Sequence, residues 1–315
     1  MVDMIRKIPI VFTFDANLIH PASVCISSLL SSANKDTFYE IIILHPETCD
    51  FTRSTLVKYP DIYKNCSIIF RAESNEFVTA YEIRGITTTA YYRLLIPELV
   101  PEYEKVLYSD VDVIFREDLS KYYLENIEGY YMAGVDNGLA LRPDVQDYIR
   151  KNLGVDHYYG HFYSGNLVIN SKLILQDNLI PIFRELAKRN FYQQDMDIIN
   201  IACYGKIKRL SPAFCLTNFL TELIVQRKQD MMNYFSEEEL DHALRNGIVH
   251  YNGPKPWKEW CVNFDIWWEA YRNSPIFNEK RYFEFFNAKQ GELDKLPLSK
   301  RIKILLRYFV YGRKK

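Results

Sequence analysis

The residues with the clearest chemical potential in this chain are Asp110 and Asp112, flanking Val111, and His250, far along the sequence at the head of a Gly-Pro loop. Val106 to Tyr108 reads as a strand, so the Asp110-Val111-Asp112 tripeptide falls near its carboxyl end. In extended backbone, residues i and i+2 face the same side, and both carboxylates can converge on one divalent cation. Ligands of open α/β sheets collect at the carboxyl ends of strands, near a switch in strand order. A cation held there can neutralise the charge of a departing diphosphate. The tripeptide alone fits two solvated strand-end carboxylates equally well.

His250 opens the run His250-Tyr251-Asn252-Gly253-Pro254-Lys255-Pro256-Trp257. An imidazole joining two carboxylates favours manganese over magnesium, which prefers an all-oxygen shell. Gly253 lets backbone approach a phosphate closely, and Lys255 can act as a point charge on the same phosphates. A lone histidine can also merely satisfy a partly buried turn; the surrounding cluster favours the site.

The elements that must position these groups follow from apolar patterning. Ile8 to Phe14 is a β-branched run stopped by Asp15-Ala16-Asn17. Residues 21 to 32 carry apolar groups at helical spacing, and Tyr39 to Leu44 and Ser67 to Phe70 are further buried runs. Thr87-Thr88-Thr89 can cap a short helix that Pro97 and Pro101 end. Tyr131 to Val135 and Leu167 to Ile169 read as strands, Gln194 to Tyr204 as a helix, and Ile248-Val249 leads into His250. Strands alternating with helical segments predict an α/β fold with a mixed, mainly parallel sheet flanked by helices.

Bulk properties narrow the class. Apolar residues make up 48% of 315, enough for a sizeable core, and a formal charge of −1 gives no global pull toward nucleic acid. The six cysteines show no paired spacing, which argues against a zinc or redox site and fits a reducing compartment. No signal-like or membrane-spanning segment is evident, so a cytoplasmic location is expected. Residues 1–260 read as one catalytic domain and 261–315 as a helical C-terminal extension. Its last segment, 295–315, holds eight basic residues and no acidic one. Leu298, Ile302, Leu305, Leu306 and Phe309 share one helical face there, Lys300, Lys303 and Arg307 share another, and Arg313, Lys314 and Lys315 follow. That pattern suits peripheral contact with an anionic membrane, or a helix packed on the domain with a free basic end.

At these residues the chain resembles glycosyltransferase family 8. The resemblance spans roughly residues 8 to 260. It runs in order through Phe12-Thr13-Phe14-Asp15-Ala16-Asn17, Tyr92-Arg93-Leu94, Asp110-Val111-Asp112, Ser164-Gly165-Asn166-Leu167-Val168-Ile169-Asn170, Asp195-Met196-Asp197-Ile198-Ile199-Asn200 and the His250-to-Trp257 loop. It implies a GT-A (Rossmann-like) fold, a UDP-hexose donor, Mn2+ (Mg2+ as the alternative), a glycan or glycolipid acceptor, and transfer with retention. It further implies Asp110, Asp112 and His250 as metal ligands, and Thr13, Asp15 and Asn17 against uracil and ribose. Val111 joins the donor-binding set, Gly253 and Lys255 hold the diphosphate, Arg93 reaches the donor sugar, and Asp136 lines the sugar and acceptor pocket. Two positions depart from the family pattern, Tyr163 and Met196, where members carry amides. Both are expected to face the donor sugar or the acceptor, so galactose recognition does not carry over.

No glutamate stands in an obvious nucleophile position, and Met196 cannot take that role. Asp195 is the remaining candidate, as nucleophile or as electrostatic support in a front-face reaction where the UDP phosphate takes the acceptor proton. A sugar nucleotidyltransferase is a rival reading, but Asp15 to Val24 contains no glycine for a phosphate loop. A non-catalytic nucleotide-sugar-binding protein is another, and it would need no cation.

Overall fold

The strand Arg6–Thr13 (β1) is buried on both faces from Ile8 onward, as an inner strand of a parallel sheet covered by helices must be. The computed structural model describes residues 5–311 apart from 75, 78–79, 83–87, 139–142 and 155–159. The other strands of the main sheet are Thr37–Pro46 (β2), Cys66–Glu73 (β3), Val106–Ser109 (β4), Met132–Gly134 (β6), Asn166–Ile169 (β7) and Ile207–Arg209 (β8). They lie in the order β3-β2-β1-β4-β7-β6-β8. Four of the six neighbour pairings run parallel, and β7 pairs antiparallel to both β4 and β6. The strands expected from apolar runs are all present, with ends shifted by at most three residues.

A second sheet has no counterpart in the sequence reading. It joins Val113–Ile114 (β5), Leu216–Thr217 (β9) and Val249–His250 (β10), in the order β5-β10-β9. Strands of two residues carry no periodicity to read.

The helix Ile19–Ser31 follows β1 and buries Val24, Cys25, Ile26, Leu29 and Leu30. The segment after the threonines is a 3-10 helix, Thr88–Leu95, continuing into the helical turn Ile96–Leu99; Thr87 lies outside the described residues. Pro97 therefore does not end the helix. It sits within the first turn of Ile96–Leu99, where its missing N–H costs nothing.

The expected boundary at residue 260 falls within a shared core. Phe264, Trp267, Trp268 and Tyr271 on the helix Phe264–Arg272 belong to the same apolar cluster as Ile10 and Phe12 of β1. Beyond it run the helices Glu279–Asp294 and Leu298–Tyr311. On the last helix Leu298 is 73% exposed, Ile302 47%, Leu305 56% and Leu306 58%, so this apolar face is not packed on the domain. Among the described residues no helix is long and apolar enough to cross a membrane.

Candidate active site

β1 and β4 are parallel neighbours, with Phe12 opposite Ser109, so the segments leaving their carboxyl ends emerge side by side. Asp110 follows β4 directly. Its neighbour β7 runs the other way and begins opposite Ser109 at Asn166, which sets Gly165 against Asp110: the Asp110 N–H donates to Gly165 O at 2.7 Å. Asp110 to Asp112 is a bend rather than extended strand. The chain turns there from the main sheet into β5, where Val113 pairs antiparallel with His250 and Tyr251 N–H donates to Asp112 O at 2.9 Å. Convergence of the two carboxylates thus comes from a bend between two sheets, not from strand alternation.

One ligand atom each from Asp110, Asp112 and His250 lies within 4.8 Å of the others. His250 Nε2 stands 3.2 Å from Asp112 Oδ1 and 3.6 Å from Asp110 Oδ2. Its Nδ1 faces Cys215 Sγ at 3.5 Å. A proton on Nδ1 directed at sulfur would leave the Nε2 lone pair for a cation, the state a metal-ligating imidazole needs. Two carboxylates and one imidazole form a donor set that fits a divalent cation. Burial by itself would raise the Asp112 carboxyl, but Lys255 and His250 overcome it and hold it well below the usual range. Burial would likewise lower His250, and the Asp112 carboxylate overcomes that, raising the imidazole above its ordinary value.

Arg93 is the fixed hub behind these three side chains. Its Nη2 lies 2.8 Å from Asp110 Oδ1 and its Nη1 3.2 Å from Asp195 Oδ2. Nη1 also donates to Ser164 O at 2.9 Å, and Nε donates to Ala90 O at 2.8 Å. The guanidinium lies over the Tyr108 ring at 4.6 Å. Burial opposes its charge, yet Asp110 and Asp195 more than compensate and raise its pKa. Thr13 joins the same assembly: its hydroxyl is 3.1 Å from Tyr108 OH, which donates to Asp110 Oδ1 at 2.6 Å. Thr13, Tyr108 and Arg93 therefore orient Asp110.

Asp15 caps the turn Ala16–Leu18 by accepting from Asn17 N–H at 2.9 Å, and Asn17 is exposed beside it. The Val111 side chain is buried in the core, leaving its backbone as the part able to meet a ligand. Lys255 Nζ donates to Asp112 Oδ2 at 2.5 Å and to Tyr251 O at 2.6 Å. The loop carrying it is braced from below, because Trp268 Nε1 donates to Pro256 O at 3.0 Å and the Trp257 ring packs against Trp267 at 5.5 Å, tilted by 41°. A Cβ built on Gly253 would meet nothing within 4 Å. On Gly165 it would fall 2.3 Å from His250 Cε1, 2.7 Å from His250 Nδ1 and 2.9 Å from Asp110 Oδ2. The glycine that close packing requires is Gly165, whose part the sequence reading missed.

Asp195 opens the helix Asp195–Ala202 and is buried. It touches Arg93 without hydrogen-bond alignment at Oδ2. Burial raises its pKa, Arg93 opposes this, and Asp110 adds to it. Gln194, just before it, has the positive φ of 48°, a strained backbone of the kind that clusters at functional sites. The rest of this motif works structurally. Asp197 Oδ1 lies 3.3 Å from His161 Nε2 and its Oδ2 accepts from Tyr148 OH at 2.7 Å. Asn200 bonds both backbone groups of Phe162. Asp136 is held by Arg209 at 2.9 Å and by Gly138 N–H at 3.1 Å, apart from the three-ligand cluster. Tyr163 is buried with its hydroxyl 2.9 Å from Thr217 Oγ1, and so ties the segment before β7 to β9 of the small sheet. Two surface cavities of about 410 and 400 Å3, one beside His20 and Tyr271, the other beside Tyr81 and Tyr192, include none of these site residues.

The fold is that of the GT-A glycosyltransferases. The galactosyltransferase LgtC, solved with donor and acceptor sugar analogues, matches with a TM-score of 0.69 at 21% identity, covering 87% of this chain and 98% of that one. The bifunctional glycosyltransferase WbbM matches with a TM-score of 0.70 at 21% identity, over 89% of this chain and 51% of that one. The family model "Glycosyl transferase family 8" matches residues 9–261, and the chain belongs to that family. Similar proteins include a putative glycosyltransferase of Haemophilus influenzae, 26% identical over 189 residues, 57% of this chain and 52% of that protein. General stress protein A of Bacillus subtilis is 26% identical over 194 residues, 59% of this chain and 64% of its own length. The matched region thus spans less than two thirds of these relatives.

Proposed function

We propose that this chain transfers a hexosyl group, glucose or galactose, from a UDP-hexose to a glycan or glycolipid acceptor with retention of configuration, in lipopolysaccharide or surface polysaccharide assembly. The observation that carries this reading is the meeting of Asp110, Asp112 and His250, with Lys255 alongside, at the carboxyl ends of β1 and β4. A bound Mn2+ would supply charge neutralisation for the departing UDP. Arg93, fixed between Asp110 and Asp195, keeps the ligand and the candidate catalytic carboxylate at a set separation. Asp195 offers negative charge to the oxocarbenium-like centre as the sugar–phosphate bond breaks, while the UDP phosphate takes the acceptor proton on the same face. Lys255, Gly253 and the Val111 backbone receive the diphosphate, Asp15 and Asn17 the nucleoside, and Asp136 the sugar or acceptor side.

The test is hydrolysis of a panel of UDP-sugars with Mn2+, which needs no acceptor and ranks the hexoses. No hydrolysis of any UDP-sugar by the full chain would remove the donor assignment. In the same assay Asp195→Ala is expected to lower turnover by on the order of 10²-fold, with UDP affinity by calorimetry nearly unchanged. Unaltered turnover takes Asp195 out of the mechanism.

The exposed apolar face of the Leu298–Tyr311 helix, flanked by Lys300 and Lys303, supports peripheral binding to the anionic inner face of the membrane. Co-sedimentation with anionic lipid vesicles is expected for the full chain and lost on removing residues 295–315. Equal binding by both chains excludes the tail as the membrane contact.

A further inference from the structure

We infer that Lys255 makes this site selective for a cation–diphosphate pair and disfavours the bare cation, so that metal and nucleotide are held as a unit. The inference rests on the reading above that Asp110, Asp112 and His250 hold a divalent cation.

Its basis is the charge inventory around the cluster. Each ligand carboxylate already has a protein cation in contact. Arg93 Nη2 stands 2.8 Å from Asp110 Oδ1, and Lys255 Nζ stands 2.5 Å from Asp112 Oδ2. With Asp195 included, three carboxylates face two protein cations, leaving at most a single net negative charge when His250 is neutral. A bare dication would turn this largely buried cluster net positive, which low-dielectric surroundings penalise. A diphosphate arriving with the dication restores a negative balance and offers Lys255 new oxygen acceptors.

The two protein cations differ in freedom. Arg93 is 7% exposed and held by Ser164, Ala90 and Tyr108 besides its carboxylates, so it cannot withdraw. The Lys255 side chain is 31% exposed. Gly253, two residues before it on the loop, has open space around it. Apart from Asp112, its hydrogen-bond acceptor is a carbonyl of its own loop, Tyr251 O. Lys255 is the cation able to turn from Asp112 toward a phosphate, and its charge sets what the site accepts. A residue that only supported the loop would weaken both ligands when removed, whereas a selecting cation moves them in opposite directions.

The experiment measures Mn2+ binding to the full chain by electron paramagnetic resonance without nucleotide, and UDP binding by calorimetry at saturating Mn2+. Lys255→Met is expected to bind bare Mn2+ at least about tenfold more tightly than the natural chain, because a positive charge within a few ångströms of the cation is gone. It is expected to bind UDP at least about tenfold more weakly. Lys255→Arg retains the charge and should keep the weak binding of bare Mn2+. Equal or weaker Mn2+ binding by Lys255→Met overturns the inference. His250→Ala separates the two levels. Loss of Mn2+ binding there upholds the three-ligand site, and unaltered binding overturns that site and this inference together.

Discussion

Asp112→Asn should abolish metal-dependent turnover, by at least about 10²-fold, while leaving the domain folded. Loss of one preorganised electrostatic element at a developing charge typically costs about 2.7 to 4 kcal/mol. Asparagine keeps the size and shape of Asp112, and its side-chain oxygen can still accept from Lys255. What disappears is the charge that both Lys255 and His250 face. The same charge anchors the acid end of the stability profile. The folded Asp112 carboxyl titrates below its ordinary range, so its contribution is present above the unfolded value and lost as pH falls through the folded one. Asp112 also bears a desolvation cost that asparagine relieves, and Lys255 retains partial access to water. The fold should therefore survive with a modest drop in melting temperature. Turnover across a Mn2+ titration, with circular dichroism melts of both proteins, checks this. Near-normal activity in the variant would retire the metal assignment.

The elements with strong periodicity were legible in the sequence. β1, β2 and β7 appear as apolar runs because inner strands of a covered sheet are apolar on both faces. Asp110 and Asp112 were legible as a pair because they follow such a strand, although the geometry joining them is a bend and not strand alternation. The small sheet was not legible, since β5, β9 and β10 have two residues each and exist through pairing alone. That sheet is what carries His250 to the carboxylates.

Residues whose roles arise from register were hidden for the same reason. Tyr108 looks like any strand tyrosine until its hydroxyl is seen on Asp110, and Cys215 like any buried thiol until it is seen beside His250. Gly253 was singled out by its Gly-Pro setting, yet the space around it is open. The signal available for Gly165 was its place between Ser164 and Asn166, directly before an apolar strand. Nothing in that pattern says that an antiparallel partner strand will carry it onto His250 and Asp110. Phe264, Trp267, Trp268 and Tyr271 lie in the segment expected to be a separate extension after residue 260, and packing makes them the floor beneath the Lys255 loop.

Gly165→Ala should be nearly as damaging as loss of a ligand, for a reason that can be isolated. The backbone φ of Gly165 is outside the left-handed region, so the constraint is space and not conformation. The added methyl would lie 2.3 Å from His250 Cε1, far inside contact distance. Gly165 cannot retreat, because its carbonyl holds Asp110 N–H at 2.7 Å. The next residue, Asn166, bonds Ser109 at 3.0 Å and Phe214 O at 2.7 Å. The imidazole must move instead, away from the carboxylates. Mn2+ binding should weaken at least about tenfold, turnover should fall by on the order of 10²-fold, and overpacking should cost about 1 to 3 kcal/mol of stability. In a His250→Ala background the group that the methyl would strike is absent, leaving the Asp110 oxygen at 2.9 Å as the remaining close contact. Most of the stability cost of Gly165→Ala should then vanish, and the double-mutant cycle should show strong coupling between the positions. Equal costs in the two backgrounds would place the collision elsewhere. Unchanged Mn2+ affinity in Gly165→Ala alone would mean that the position of the imidazole does not govern the cation site.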